Sequence, residues 1–141
     1  MHEPRAIAKA YAIESEADYQ VARLLSGTEF HSRTIFMSQQ AAEKMVKACL
    51  ALKGIYTTDH NMSTLFKAVF GAELPEADEL LRAVDALERH GARVRFPLFQ
   101  RPDLPIWIPS QSYRAEDAQR ALAMATNVIT ALRAYLEKAL G

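Results

Sequence analysis

The stretch RAEDAQRALAMATNVITALRAYLEKAL, Arg114 to Leu140, decides the fold. Ala118, Leu122, Ala125, Ile129, Leu132 and Leu136 recur in alternating steps of four and three, which draws one apolar seam along a long helix. Glu116 and Asp117 stand in its first turn and Lys138 in its last, matching the helix dipole at both ends. Arg114 occupies the place where a capping Ser, Thr or Asp is usual, so Ser112 is the expected cap.

Working outward, Gly27, Gly54, Gly71 and Gly91 each follow a segment rich in Ala, Leu, Met, Glu and Lys, and Gly141 ends the last one. Glycine just past a helix takes the left-handed conformation that closes its final turn, so these positions read as helix stops. Pro4 and Pro75 mark helix starts, and Pro97, Pro102, Pro105 and Pro109 fall together in one connection. The predicted helices are 4–26, 29–53, 61–70, 76–91 and 114–140. On the first, Ala6, Ala10, Ile13, Ala17, Val21 and Leu24 form the expected buried seam; on the fourth, Leu80, Val84 and Leu87 do. No alternating strand pattern of useful length is present. The expectation is an all-α, up-and-down helical bundle of four main helices plus one short helix, a single domain over 1–141. The connection 92–113 is too long for a plain turn, and loops of that length commonly carry function.

Composition bounds the function. Lys plus Arg and Asp plus Glu both total 17, a formal net charge of zero, which excludes a surface that coats nucleic acid or anionic membrane as a whole. The zero conceals segregation: Glu73 to Glu88 holds six acids against Arg82, whereas Arg89 to Arg101 holds Arg89, Arg93, Arg95 and Arg101 with no acid. The single cysteine, Cys49, lies in the apolar run MVKACLAL and is expected to be a buried, inert thiol. Charges throughout the first twenty residues and the lack of a long apolar run lead to an expectation of a cytoplasmic protein without membrane contact.

The second helix carries two lines. Ile35, Ala42, Met45, Cys49 and Leu52 supply a core face; beside it run Phe36, Gln40, Glu43, Lys47 and Leu50, apolar at both ends and polar in the middle. A solvated stripe with an ordinary Glu43–Lys47 pair, worth about 0.3 kcal/mol, accounts for the pattern. So does a polar network facing another helix or subunit, which is tolerated only if each member is satisfied.

The run QQAAEKMVKACLALKG, Gln39 to Gly54, resembles the signature helix of the HEPN domain family. His60 in TTDHNMSTLF is similar to that family's histidine before the short third helix, and Arg95-Phe96-Pro97 to its Arg-Tyr-Pro after the fourth. Tyr113, followed by acids and an alanine-rich helix, resembles the family's ending, so the likeness spans about residues 5–138. The resemblance implies a homodimer associated with a nucleotide or RNA, often the partner of a minimal nucleotidyltransferase in a toxin–antitoxin pair. It implies candidate ligand-binding residues Gln40, Glu43, Lys47, His60, Arg95 and Tyr113.

Ribonuclease branches of that family carry an arginine four to six residues before a histidine. Here Arg23 with His31 and Arg82 with His90 are each separated by seven residues, so no catalytic residue is assigned. The alternatives are a ribonuclease that uses His60 or His90 with Arg95, and a purely structural interaction subunit. No Gly-rich phosphate loop or zinc spacing occurs, and Glu29 and Glu88 precede His31 and His90 by two rather than the three of a di-iron motif; no metal or cofactor is expected.

The basic connection interleaves its arginines with Phe96, Phe99 and Trp107. Arginine grips phosphate in bidentate fashion and aromatic faces stack on bases. Helix-end charge compensation explains Arg89 and Arg93 as well, and Trp107 in LPIWIP reads as a core plug or partner contact rather than a base stacker.

Overall fold

The computed structural model describes residues 2–141. Its helices are α1 (Pro4–Leu25), α2 (His31–Leu52), α3 (Ser63–Phe70), α4 (Ala77–Glu88), α5 (Pro109–Ser112) and α6 (Ala115–Leu140), with a 3-10 turn at Gly91–Val94. The chain is an all-helical bundle, and α2 is its axle, touching all five other helices and the 3-10 turn. Its own sequence explains the position: Ile35, Met45, Val46, Cys49 and Leu50 are all buried, so no broad face is left for solvent. From α6, Ala118, Ala125, Ile129, Leu132 and Leu136 close on it as the seam predicts, whereas the seam's Leu122 is only half-buried and Ala121 and Val128 are buried beside it; Leu80, Val84 and Leu87 of α4 are buried as expected. Met62, Phe66 and Phe70 fill the space under α3.

Helix α1 overturns the expectation for its face. The buried residues are Ala8, Ser15 and Ala22, spaced by seven, with Ile7, Tyr11 and Tyr19 half-buried at the sides. Small residues let α1 approach α2 closely, and Ser15 donates its hydroxyl to the Ala41 carbonyl at 2.7 Å. The expected seam of Ala6, Ala10, Ile13, Ala17, Val21 and Leu24 lies on the outside, with Ile13 69% and Leu24 77% exposed. Alanines on both sides of the helix made two apolar stripes available, and close packing selected the smaller one.

Four further departures are local. Gly27, Gly54 and Gly91 have left-handed φ values of 87°, 73° and 50°, but Gly71 (φ −56°) continues the right-handed turn of α3 and donates to Lys67 O at 2.9 Å. Helix α4 ends at Glu88, short of the expected 91. The long connection contains an unpredicted helical turn that starts at Pro109, and Leu98 and Trp107 exchange both backbone hydrogen bonds at 3.0 Å, pinching the connection into a narrow hairpin. Ser112 donates within that turn, to Ile108 O, and does not cap α6; Asp117 Oδ2 accepts the Arg114 amide at 2.9 Å instead. Among the described residues no helix is long and apolar enough to cross a membrane.

Candidate functional site

The polar middle of α2 is buried. Glu43 is 7% and Lys47 8% exposed, so the middle of the stripe is a buried ion pair and not a solvated face. One carboxylate oxygen holds it together: Glu43 Oε2 is 3.3 Å from Lys47 Nζ and 3.3 Å from His60 Nδ1. The helix supplies the first contact through its i, i+4 spacing. The second comes from the loop before α3, a separation of seventeen residues.

Glu88 positions that loop. From the end of α4 its Oε1 accepts the backbone amides of Met62 and, at 3.0 Å, Ser63, and so serves as the N-terminal cap that α3 lacks within its own chain segment. Burial pushes the Glu88 carboxyl above its ordinary range, partly offset by those amides. His60 is thereby fixed two residues before an anchored backbone. Its ring is outward, 76% exposed at the side chain, with Nδ1 turned in toward Glu43. A carboxylate oxygen accepts, so the pairing with Glu43 favours the tautomer with the proton on Nδ1 and turns Nε2 to solvent. Nothing in the sequence near Glu88 signals its role, because the partners are 25 and 26 residues away.

The other end of the stripe is aromatic and basic. Phe36 is half-buried, and the Arg95 guanidinium stands over it at 5.4 Å from the ring centre and 5.2 Å from Phe96. Gln40 lies half-buried between Phe36 and Glu43 on the same helix face. Gln40, Glu43, Lys47, His60 and Arg95 therefore fall along one strip, buried at Glu43 and Lys47 and exposed at His60 and Arg95.

Tyr113 belongs elsewhere. It meets His90 edge-on at 5.7 Å and Trp107 at 5.5 Å, with its hydroxyl 3.5 Å from His90 Nδ1. Burial, with the nearby Arg93 charge, holds the His90 imidazole below its ordinary value although Asp117 pulls the other way, and burial raises the Tyr113 phenol. Trp107 fastens the hairpin: its indole donates to Arg93 O at 2.7 Å while the Arg93 guanidinium stacks 4.4 Å above the ring. Arg89 pairs with Asp85 and Arg101 with Asp103, each at 2.7 Å. Of the four arginines in the basic run, three thus serve local structure and Arg95 alone reaches the α2 stripe. Among the described residues no group of three His, Cys, Asp or Glu is placed to hold a metal ion.

The HEPN domain family profile matches residues 8–135. A protein of Methanocaldococcus jannaschii named "Putative toxin MJ1304" is 32% identical, over 95% of this chain and 91% of its own. Two crystal structures share the fold. The archaeal HEPN homologue ST0689 has a TM-score of 0.71 at 21% identity over 96% of this chain and 99% of that one. TT1696 from Thermus thermophilus has a TM-score of 0.72 at 22% identity over 89% and 95%.

Proposed function

This chain belongs to the HEPN domain family, and from that premise we propose that it is a nucleotide- or RNA-binding module. It acts as a homodimer and as the partner of a minimal nucleotidyltransferase in a toxin–antitoxin pair. The observation that carries the ligand assignment is the Glu43 carboxylate, which organises Lys47 and an outward-facing His60 on the strip that ends in Arg95 and two aromatic rings. Such a strip offers cations and hydrogen-bond donors for phosphate and flat faces for bases. The similarity to a protein named as a toxin supports the paired setting.

The exposed stripe of α1 supports the homodimer. Taken antiparallel about its midpoint, it sets Ala6 opposite Leu24, Ala10 opposite Val21 and Ile13 opposite Ala17. Each large side chain then meets a small one, whereas parallel pairing would set Leu24 against Leu24 and leave the alanine end apart. Calorimetric titration with a panel of nucleotides and short single-stranded RNAs tests the ligand reading. Micromolar binding is expected, and no heat at high micromolar concentration rejects it.

A second reading, a metal-independent ribonuclease, draws on the carboxylate-oriented His60 ring, whose Nε2 is suitably presented for proton transfer. Cleavage of RNA in the presence of a chelator, lost in His60→Asn, would favour it; intact RNA after prolonged incubation would remove it.

A further inference from the structure

A second arginine stands beside Arg95. The first turn of α2 carries Arg33, and one turn on Phe36; with Val94 and Arg95 from the 3-10 turn and its end they line a single cavity of about 180 Å³. The two arginines are 62 residues apart in sequence, so nothing in the local pattern couples them.

Neither has a carboxylate partner among the described residues. Seven other Lys and Arg side chains do, and eight more, Arg23 and Arg93 among them, do not; what sets Arg33 and Arg95 apart is the cavity they share. Arg33 Nη1 donates to Ser32 Oγ at 3.0 Å, and Arg95 rests on Phe36 and Phe96. Two guanidinium groups therefore face one apolar-floored cavity with their charges uncompensated, Val94 forming a buried wall. An anion placed there gains two positively charged partners, and the planar fork of guanidinium matches the oxygens of a phosphate group. A space of that size, open to solvent, accommodates one phosphate group. A base attached to it has the exposed face of Phe96 beside the cavity.

We propose that Arg33 and Arg95 clamp one phosphate group of a short single-stranded RNA, whose adjoining base stacks on Phe96. The identity of the ligand as RNA rests on the function proposed above; the clamp rests on the paired arginines. Seven residues of α2 separate Phe36 from Glu43, about 10 Å along the helix, so the RNA chain runs from the clamp toward Lys47 and His60.

The test titrates sodium phosphate, adenosine 5′-monophosphate and a six-nucleotide uridine RNA into the wild type, Arg33→Gln, Arg95→Gln, Arg95→Lys and, as a control, Arg101→Gln, at several salt concentrations. Arg33 and Arg95 are exposed, and circular dichroism verifies folding. Expected are about tenfold weaker RNA binding in each of Arg33→Gln and Arg95→Gln, with a salt slope shallower by about 0.7 per arginine removed, and no change in Arg101→Gln. Arg95→Lys keeps the slope and loses affinity, because lysine lacks the fork. RNA binding with unchanged affinity and slope in both glutamine variants overturns the clamp and leaves the function standing. Phosphate binding that needs both arginines, without RNA binding, keeps the clamp and removes the function. A wild type that binds none of the three overturns both.

Discussion

The Glu43 carboxylate and the His60 imidazole meet at 3.3 Å across the boundary between interior and solvent, the acid 7% exposed and the ring 76%. A buried acid is costly unless it is paired, and here its partners are Lys47 on the same helix and a histidine delivered by a loop that Glu88 anchors. The interior carboxylate thereby sets the orientation of a ring that a ligand can reach.

Removing the charge exposes that cost. Glu43→Gln leaves the buried Lys47 without its anion, and the variant is expected to lose about 3 kcal/mol in urea unfolding. The double variant Glu43→Leu, Lys47→Leu should recover most of the loss. Equal stability of Glu43→Gln and wild type would show that the pair carries no such weight.

The outer stripe of α1 predicts a separation of folding from assembly. Ile13→Asp or Leu24→Asp changes monomer stability by no more than about 0.5 kcal/mol, since both side chains are exposed. Light scattering should report a monomer for each and a dimer for the wild type. Ser15→Leu does the reverse in kind: it forces bulk into the closest helix contact and costs about 3 kcal/mol or more.

These two helices mark how far the sequence could be read. The α6 seam and the core line of α2 were legible because apolar residues recur along each in steps of three and four. The face of α1 was not, because Ala6, Ala8, Ala10, Ala12, Ala17 and Ala22 spread apolar character round the helix; the choice depended on how near α2 could come. The Glu43–Lys47 pair was visible as i, i+4 spacing, whereas its burial was not. His60, Glu88, Arg33 and Arg95 converge from separate elements, so composition located the basic connection but not which of its arginines faces α2. Tyr113 matched a motif, and nothing in the sequence signalled that its ring packs edge-on against His90 and Trp107.

Acid should weaken the fold through His90. Burial and Arg93 hold its native value below the ordinary 6.5, so the unfolded chain takes up a proton first. Its contribution is fully present above pH 6.5 and is lost as pH falls through that value toward the depressed native one. Thermal melts from pH 8 to pH 5 should show the decline, flattened in His90→Gln; a slope identical in both proteins would assign it to other groups.

Cys49 should be inert in the native state. It is fully buried, its thiol is pushed up to about 12 chiefly by burial, and Glu73 adds to the shift. A thiol reagent at pH 8 is expected to leave the folded protein unmodified and to label it once after denaturation. Rapid labelling of folded protein would contradict that placement.

The central claim is that the strip along α2 is the ligand surface, and amide chemical-shift mapping during titration with a short single-stranded RNA tests it most directly. The expected shifts cluster at Arg33, Phe36, Gln40, Glu43 and Lys47 on α2, at His60 and at Arg95 and Phe96, while the outer face of α1 stays silent. Shifts confined to α1 or to the acidic α4, or a spectrum unmoved at saturating RNA, would contradict the account.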